Sequence, residues 1–381
     1  MDSSLIKPDQ PFLIWAILLA LVAFGFWCEK FPWGRKYSGV MLMMALAIVL
    51  ANLRILPTSS PVYGTVWEYL VPLAIALLLL GANLVRIVRE AGAVLIAFLV
   101  GSAAVVAGTV TAVTLLDLGS AEPQLAGVLT ATYIGGSLNF AAVADATGFR
   151  DSSLLAATVA ADNVVTNFHF LLIILLPGVS WLARRFPERA GAASVSPASG
   201  VVEGVHRVRD LGLAGLLAAL ALAFALTAAG GYLAELAGFP QYDILAITAL
   251  ALTVGTALSG LVSRLSGYTE AGTVLMFLFL ATVGASADLW QLLGMAPVLF
   301  VFCLIIVAVH LVALLLFGYL FRFDLAELMM GSAVCIGGPS SAAALASAKG
   351  WRDLMMPGIL AGSAGYAIGS FIGTAIAAWL A

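Results

Sequence analysis

Pro11–Cys28, PFLIWAILLALVAFGFWC, runs for eighteen residues without a charged side chain, and eleven further apolar runs of comparable length follow it. A hydrocarbon core about 30 Å thick takes roughly 20 helical residues to cross. Segments 11–28, 39–56, 65–85, 91–116, 125–147 and 152–177 meet that test, and so do 211–236, 243–264, 268–287, 290–321, 325–348 and 355–380. Inside lipid every backbone polar group must be bonded within the protein, which restricts spanning chains to helices or closed barrels. Runs this long are helices. The chain is 62% hydrophobic and only 10% charged, against about 25% charged in soluble domains. It therefore reads as an all-α polytopic membrane protein with about 11–13 transmembrane helices.

The formal net charge of −3 gives no basis for a nucleic-acid partner, because the 17 Lys and Arg residues are scattered along the chain. Cys28, Cys303 and Cys335 lie in or beside apolar runs at no metal-ligand spacing, so they read as small buried hydrophobes. The opening MDSSLIKPDQ lacks a basic n-region, and the first run is expected to be retained as a span and not cleaved as a leader. No GxSxG, HExxH, CxxC or P-loop pattern occurs. The expectation is a protein that is not an enzyme, with no cofactor and no metal beyond a transient coupling Na⁺.

The polar stretch 184–210, with RRFPER and HRVRD, divides a first unit (1–183) from a second (211–381). The two units are copies. A shift of 202 aligns IGGSLNFAAVADATGFRD (134–151) with IGGPSSAAALASAKGWRD (336–353), and ten of the eighteen positions are identical. Four of those are alanines, common in this chain; the Ile-Gly-Gly, the later Gly and the Arg-Asp ending are the informative ones. LVPLAIALLLLGANL (70–84) and GTVLMFLFLATVGASADL (272–289) form a looser second match, each closing on a Gly-Ala-polar step.

Charge placement bears on the orientation of the copies. Lys30, Arg35, Lys36, Arg86 and Arg89 follow first-half spans whose second-half counterparts carry no positive charge, whereas Arg322 stands where the first half has Asp117 and Glu122. By the positive-inside rule this reversal predicts repeats of opposite topology. Six simple spans per half would run the copies parallel, and inversion requires an odd number of crossings. The charge bias therefore implies that the simple count is off by one.

The repeated Ile-Gly-Gly breaks its helix in each copy. Glycine costs an interior helix about 1 kcal/mol relative to alanine, and proline about 3. Gly135–Gly136 and Gly337–Gly338–Pro339 should each end one helical piece and start another. Ser137, Asn139, Ser340 and Ser341 follow as cap-type residues. A broken helix exposes a partial positive charge at its new N-terminus and a partial negative one at its old C-terminus. Two repeats, each supplying one discontinuous helix crossing at the midplane, are the signature of a secondary transporter. Close helix packing through small residues is the plainer alternative for either copy alone.

One acid stands out. Asp162, in AADNVVTNFHF, falls in the middle of segment 152–177, where insertion of a carboxylate costs about 2.5–3.5 kcal/mol and marks a functional candidate. A carboxylate there suits exchange of a proton or coordination of Na⁺. Asn163 and Asn167 are its expected partners, and Thr166 and His169 follow at i+4 and i+7. The positions matching Asp162, Asn163 and Asn167 in the second copy are Ala364, Gly365 and Gly369, so one ion-handling carboxylate is expected, with smooth packing in the other copy. Thr132 and Asp145 flank the first break as further candidates, and lone His310 reads as a structural histidine.

WEYLVPLAIALLLLGANL, YIGGSLNFAAVA, ADNVVTNFHFLL and CIGGPSSAAALA together resemble the YjcL-like family of integral membrane proteins, over nearly the whole chain. That family is similar in outline to the group of cation/proton antiporters, bile-acid/sodium symporters and auxin carriers. The resemblance implies inverted repeats with two discontinuous helices crossing at the midplane. In the antiporters an Asp-Asp or Asn-Asp pair lies on the helix after the first broken one; here Asp162–Asn163 occupy that helix in reversed order.

The combined expectation is an ion-coupled (proton or sodium) secondary transporter of a small organic solute in a bacterial inner membrane, moving by an elevator-like or rocking motion. Its site would be the two helix breaks, its coupling group Asp162, its partners the lipid bilayer, the solute and a second copy in a homodimer. A cation/proton antiporter is the alternative, with a membrane-embedded receptor or enzyme behind it.

Overall fold

The computed structural model describes residues 4–31, 39–187 and 212–381. Most of linker 184–210, and with it Arg35 and Lys36 of the charge comparison, lies outside the described residues. Among those described there are helices and turns but no strands.

The principal helices of the first unit are α1 (Pro11–Cys28), α2 (Gly39–Asn52), α3 (Pro61–Leu79), α4 (Gly92–Leu115), α5 (Glu122–Gly135), α6 (Ser137–Ala146) and α7 (Ser152–Leu175). Those of the second are α8 (Leu213–Leu236), α9 (Asp243–Ala257), α10 (Tyr268–Ser286), α11 (Leu289–Phe321), α12 (Leu325–Gly337), α13 (Pro339–Lys349) and α14 (Arg352–Leu380). The 202-residue shift carries the start of α1 onto that of α8, the end of α5 onto that of α12, and the start of α6 onto that of α13. Packing partners exchange under the same shift: α2 packs on α10 and α9 on α3, while α1 packs on α10 and α8 on α3.

Loop contacts sort the helix ends into two faces. On the first face Leu5 N–H donates to the Arg54 carbonyl (2.7 Å), Asn52 Nδ2 to the Ala287 carbonyl (3.1 Å), and Asp288 N–H to Ser153 Oγ (2.8 Å). On the second, Leu84 N–H donates to Thr256 Oγ1 (3.1 Å) and Ser266 Oγ to the Gly212 carbonyl (3.0 Å), with Tyr268 against Gly81. Followed from face to face, α1, α2, α3, α4 and α7 cross in the first unit and α8, α9, α10, α11 and α14 in the second. Eight of these ten are long and apolar enough to span by themselves; α2 and α9, with 14 and 15 residues, are short.

The broken segments behave differently, and α14 is the ruler that shows it. Gly127 and Ala131 of α5 lie on Gly373, and Gly135 lies on Gly365, so α5 runs antiparallel to α14. Past the break, Asn139 of α6 sits against Gly365 and Gly369, and Val143 is back at Gly373. The chain has turned round. In the second unit Met330 of α12 and Ala342 of α13 both lie at Gly358, Pro339 lies at Gly362, and the tip reaches Tyr366. Each broken segment is therefore a helical hairpin. The first enters from the face where α14 ends, the second from the face where it starts, and their tips meet at mid-depth, with Gly338 beside the Gly135 carbonyl.

This revises the expected architecture in one respect. The breaks lie at mid-depth, but 125–147 and 325–348 double back instead of crossing. The simple count fails because a hairpin of two short apolar helices has the length and hydropathy of one span. Five crossings and a hairpin per unit is the odd number that the charge bias demands.

Candidate functional site

The two hairpin tips share one backbone conformation. Gly136 has φ 83°, ψ −170° and Gly338 has φ 74°, ψ −175°, a region open almost solely to glycine. Around both, the same bonds recur: Gly136 N–H donates to the Thr132 carbonyl (2.6 Å) and Gly338 N–H to the Val334 carbonyl (3.1 Å), while Asn139 N–H and Ser341 N–H donate to the Gly136 and Gly338 carbonyls, each at 3.1 Å. Sequence identity at these glycines thus reflects a shared turn.

Side chains at the tips do less capping than expected. Neither α6 nor α13 has a side-chain cap at its first turn. Asn139 is buried and donates instead through Nδ2 to the Gly365 carbonyl at 2.9 Å, fastening the first hairpin to α14. Ser137 and Ser340 are exposed, Ser341 is half-buried, and the space beside Gly136 is open. The uncapped N-terminus of α6, with open space beside Gly136, is positioned to receive an anionic or carbonyl group. The hairpins are also tied directly together, since Cys335 Sγ donates to the carbonyl of Tyr133, its own repeat mate, at 3.2 Å.

Asp162 stands behind this junction on α7, half-buried, with Oδ1 accepting from Thr166 Oγ1 at 2.9 Å. The Tyr133 hydroxyl, fully buried, lies beside Asp162 and the Cys303 thiol without a hydrogen bond of good geometry to either. A deep carboxylate, two hydroxyls and a thiol form a compact polar site, one turn of helix from the first hairpin tip. Within it a proton on the carboxylate, or a small cation against it, has oxygen partners at hand.

The structure divides the other predicted residues. Asp162, Thr166 and His169 share one face of α7. Asn163 and Asn167 do not join them: their side-chain amides donate to the carbonyls of Val159 (2.8 Å) and Asn163 (2.7 Å) on their own helix. Thr132 likewise bonds the Val128 carbonyl (2.7 Å) and points away. Asp145 is occupied by Arg150 (2.5 Å), whose guanidinium stacks 4.1 Å over Trp67 near the first face. His169 lies against Ser332 in a separate cluster. Three residues that the sequence did not place in the site belong to it: Tyr133, and Cys303 and Gly365, which were expected only to pack. Tyr133 could have been found from its place three residues before the break; nothing local marks Cys303.

Comparison with known proteins supplies a family and a relative that is a membrane protein. The family model described as protein of unknown function (DUF819) matches residues 16–381. Over 394 residues, 99% of this chain and 98% of the relative, the chain is 35% identical to the uncharacterized membrane protein YjcL of Bacillus subtilis (strain 168). It is a multi-pass, all-helical integral membrane protein and belongs to the DUF819 family.

Proposed function

We propose that the protein is an ion-coupled secondary transporter of a small organic solute, built from inverted repeats. The observation that carries the proposal is the pair of hairpins entering from opposite faces, their uncapped tips meeting at mid-depth beside a half-buried carboxylate. Irregular backbone at membrane depth is tolerated only where it is packed in protein or lines a cavity, and transporters place their sites at such repeat junctions. Asp162 would bind the proton or Na⁺, and the first turns of α6 and α13 would hold the solute through backbone N–H groups, Ser137, Ser340 and Ser341.

Alternating access would come from each hairpin opening to its own face. Small residues on α14 allow this: Gly365, Gly369 and Gly373 let the first hairpin lie against it almost backbone to backbone. Helices α4, α7, α11 and α14 with the hairpins form the moving core, and the other crossings the scaffold.

The orientation follows from charge. Lys30, Arg86, Arg89, Arg264, Arg322 and Lys349 lie at the second face, whereas Lys7, Arg54 and Arg150 lie at the first. The second face would be cytoplasmic, in a bacterial inner membrane; the YjcL relative is a bacterial membrane protein. A cation/proton antiporter is the second reading. It is favoured by the tight packing of Gly135 on Gly365 at the junction, which leaves more room for an ion than for an organic solute.

Purified protein in proteoliposomes separates these readings. Proton or Na⁺ flux that requires an added solute supports the symporter, and cation-driven proton flux without solute supports the antiporter. The coupling site is wrong if Asp162→Asn leaves the flux intact.

A further inference from the structure

His169 of α7, Ser332 of α12 and His310 of α11 meet away from Asp162 in a continuous buried chain. His169 Nε2 and His310 Nε2 each lie 2.9 Å from Ser332 Oγ, and His310 Nδ1 lies 2.9 Å from the Gly101 carbonyl of α4. The imidazole rings are 5.9 Å apart. Neither histidine is accounted for by the site around the hairpin tips.

The chemistry of these atoms fixes the protons. A carbonyl only accepts, so His310 Nδ1 must carry hydrogen. In neutral His310, Nε2 is then an acceptor, and the Ser332 hydroxyl must donate to it. Ser332 has no second hydrogen, so it accepts from His169, whose Nε2 must be protonated. The two neutral histidines are held in opposite tautomers, and the chain points from His169 towards Gly101.

Such a chain can take up one proton without losing a bond. A proton arriving at His169 Nδ1 lets the Nε2 proton pass to Ser332 Oγ and the original Ser332 proton pass to His310 Nε2. His310 becomes an imidazolium that keeps Gly101 as acceptor and now donates to Ser332; Ser332 donates to His169, neutral again in the other tautomer. One proton is gained, every hydrogen bond survives, and the chain has reversed direction. The Gly101 carbonyl cannot accept the charge, so the route has a single end. That end is the His169 side: Nδ1 of His169 is the one ring nitrogen of the pair bonded to neither Ser332 nor Gly101.

We propose that His169, Ser332 and His310 form a one-ended proton-loading site that ties the second hairpin to α7 and α11 and holds a single proton between the two histidines. The proposal does not depend on solute transport or on Asp162. Cys335, whose sulfur lies 3.6 Å from Ser102 Oγ, is the titratable group facing the chain from α12; α4 contributes Gly101 and Ser102 there, and Asp162 on α7 and Cys303 on α11 each lie two turns away on the faces that carry His169 and His310. Among the described residues no carboxylate or cation bonds any member of the chain.

The chain has three histidines, so nitrogen NMR of histidine-labelled protein in nanodiscs resolves the states, with His206→Gln removing the third signal. Expected are one Nε2–H and one Nδ1–H neutral tautomer, and on acidification a single protonation that converts His310 to imidazolium and switches His169 to Nδ1–H together. In Ser332→Ala the linked switch should vanish while the melting temperature identifies a folded protein; if that variant does not fold, His169→Gln must abolish the single protonation step. Two histidines in the same tautomer, both neutral until the protein unfolds, or a Ser332→Ala spectrum with the linked switch intact would overturn the proposal.

Discussion

Asp162 and Gly365 show how single residues set this core. The Asp162 carboxylate holds one hydroxyl bond, from Thr166, and a second hydroxyl, Tyr133, lies nearby without a settled partner. A hydrogen bond to a charged group is worth about 1.5–3 kcal/mol. The Thr166 bond favours the ionised carboxylate, so Thr166→Val should tighten proton binding by roughly tenfold or more, while Asp162→Asn should remove gradient-driven flux altogether; initial rates in proteoliposomes against ion concentration measure both. Gly365 is the residue that matches Asn163 in the other copy. A methyl group there would overlap the Ile134 carbonyl oxygen and the Gly135 backbone. Overpacking of a close-packed site costs about 1–3 kcal/mol, so Gly365→Ala should lower the melting temperature, whereas Gly231→Ala, at a glycine with open space around it, should not.

The hairpins are the elements on which the reading rests, and their tips make a matched prediction. Gly136 and Gly338 hold the same positive-φ conformation. Alanine in that region costs on the order of 1–3 kcal/mol, so Gly136→Ala and Gly338→Ala should destabilise the protein by similar amounts in thermal melts. A marked difference between them would contradict the equivalence of the two turns. The duplicated Ile-Gly-Gly made the breaks legible in the sequence, because glycine pairs and Pro339 have few roles inside an apolar helix. What followed the break was not legible. A turn that continues across the membrane and one that folds back use the same residues, and the choice is made by contacts on α14, more than 200 residues from the first tip. The two Asn side chains of α7 illustrate the same limit. Spacing placed Asn163 and Asn167 near Asp162, but each found a backbone carbonyl four residues back, a bond that sequence spacing cannot distinguish from a site contact.

At the scale of the whole molecule, the number of crossings, the charge bias and the repeat become consistent once the broken segments are hairpins. Class and architecture were readable because apolar runs dominate the chain. The expected topology needed one correction, the folding back of each broken segment on α14; under the proposed inversion the two units start from opposite faces. The most direct measurement is the sidedness of the hairpin bases. Cys28, Cys303 and Cys335 are buried, so single cysteines introduced elsewhere can be labelled with a membrane-impermeant maleimide in oriented vesicles. Ser120→Cys and Thr147→Cys flank the first hairpin, and Arg322→Cys and Lys349→Cys flank the second. The first pair should label from the outside only and the second pair from the cytoplasmic side only. Labelling of Ser120→Cys and Thr147→Cys from opposite sides would mean that the broken segment crosses the membrane, and would contradict the account.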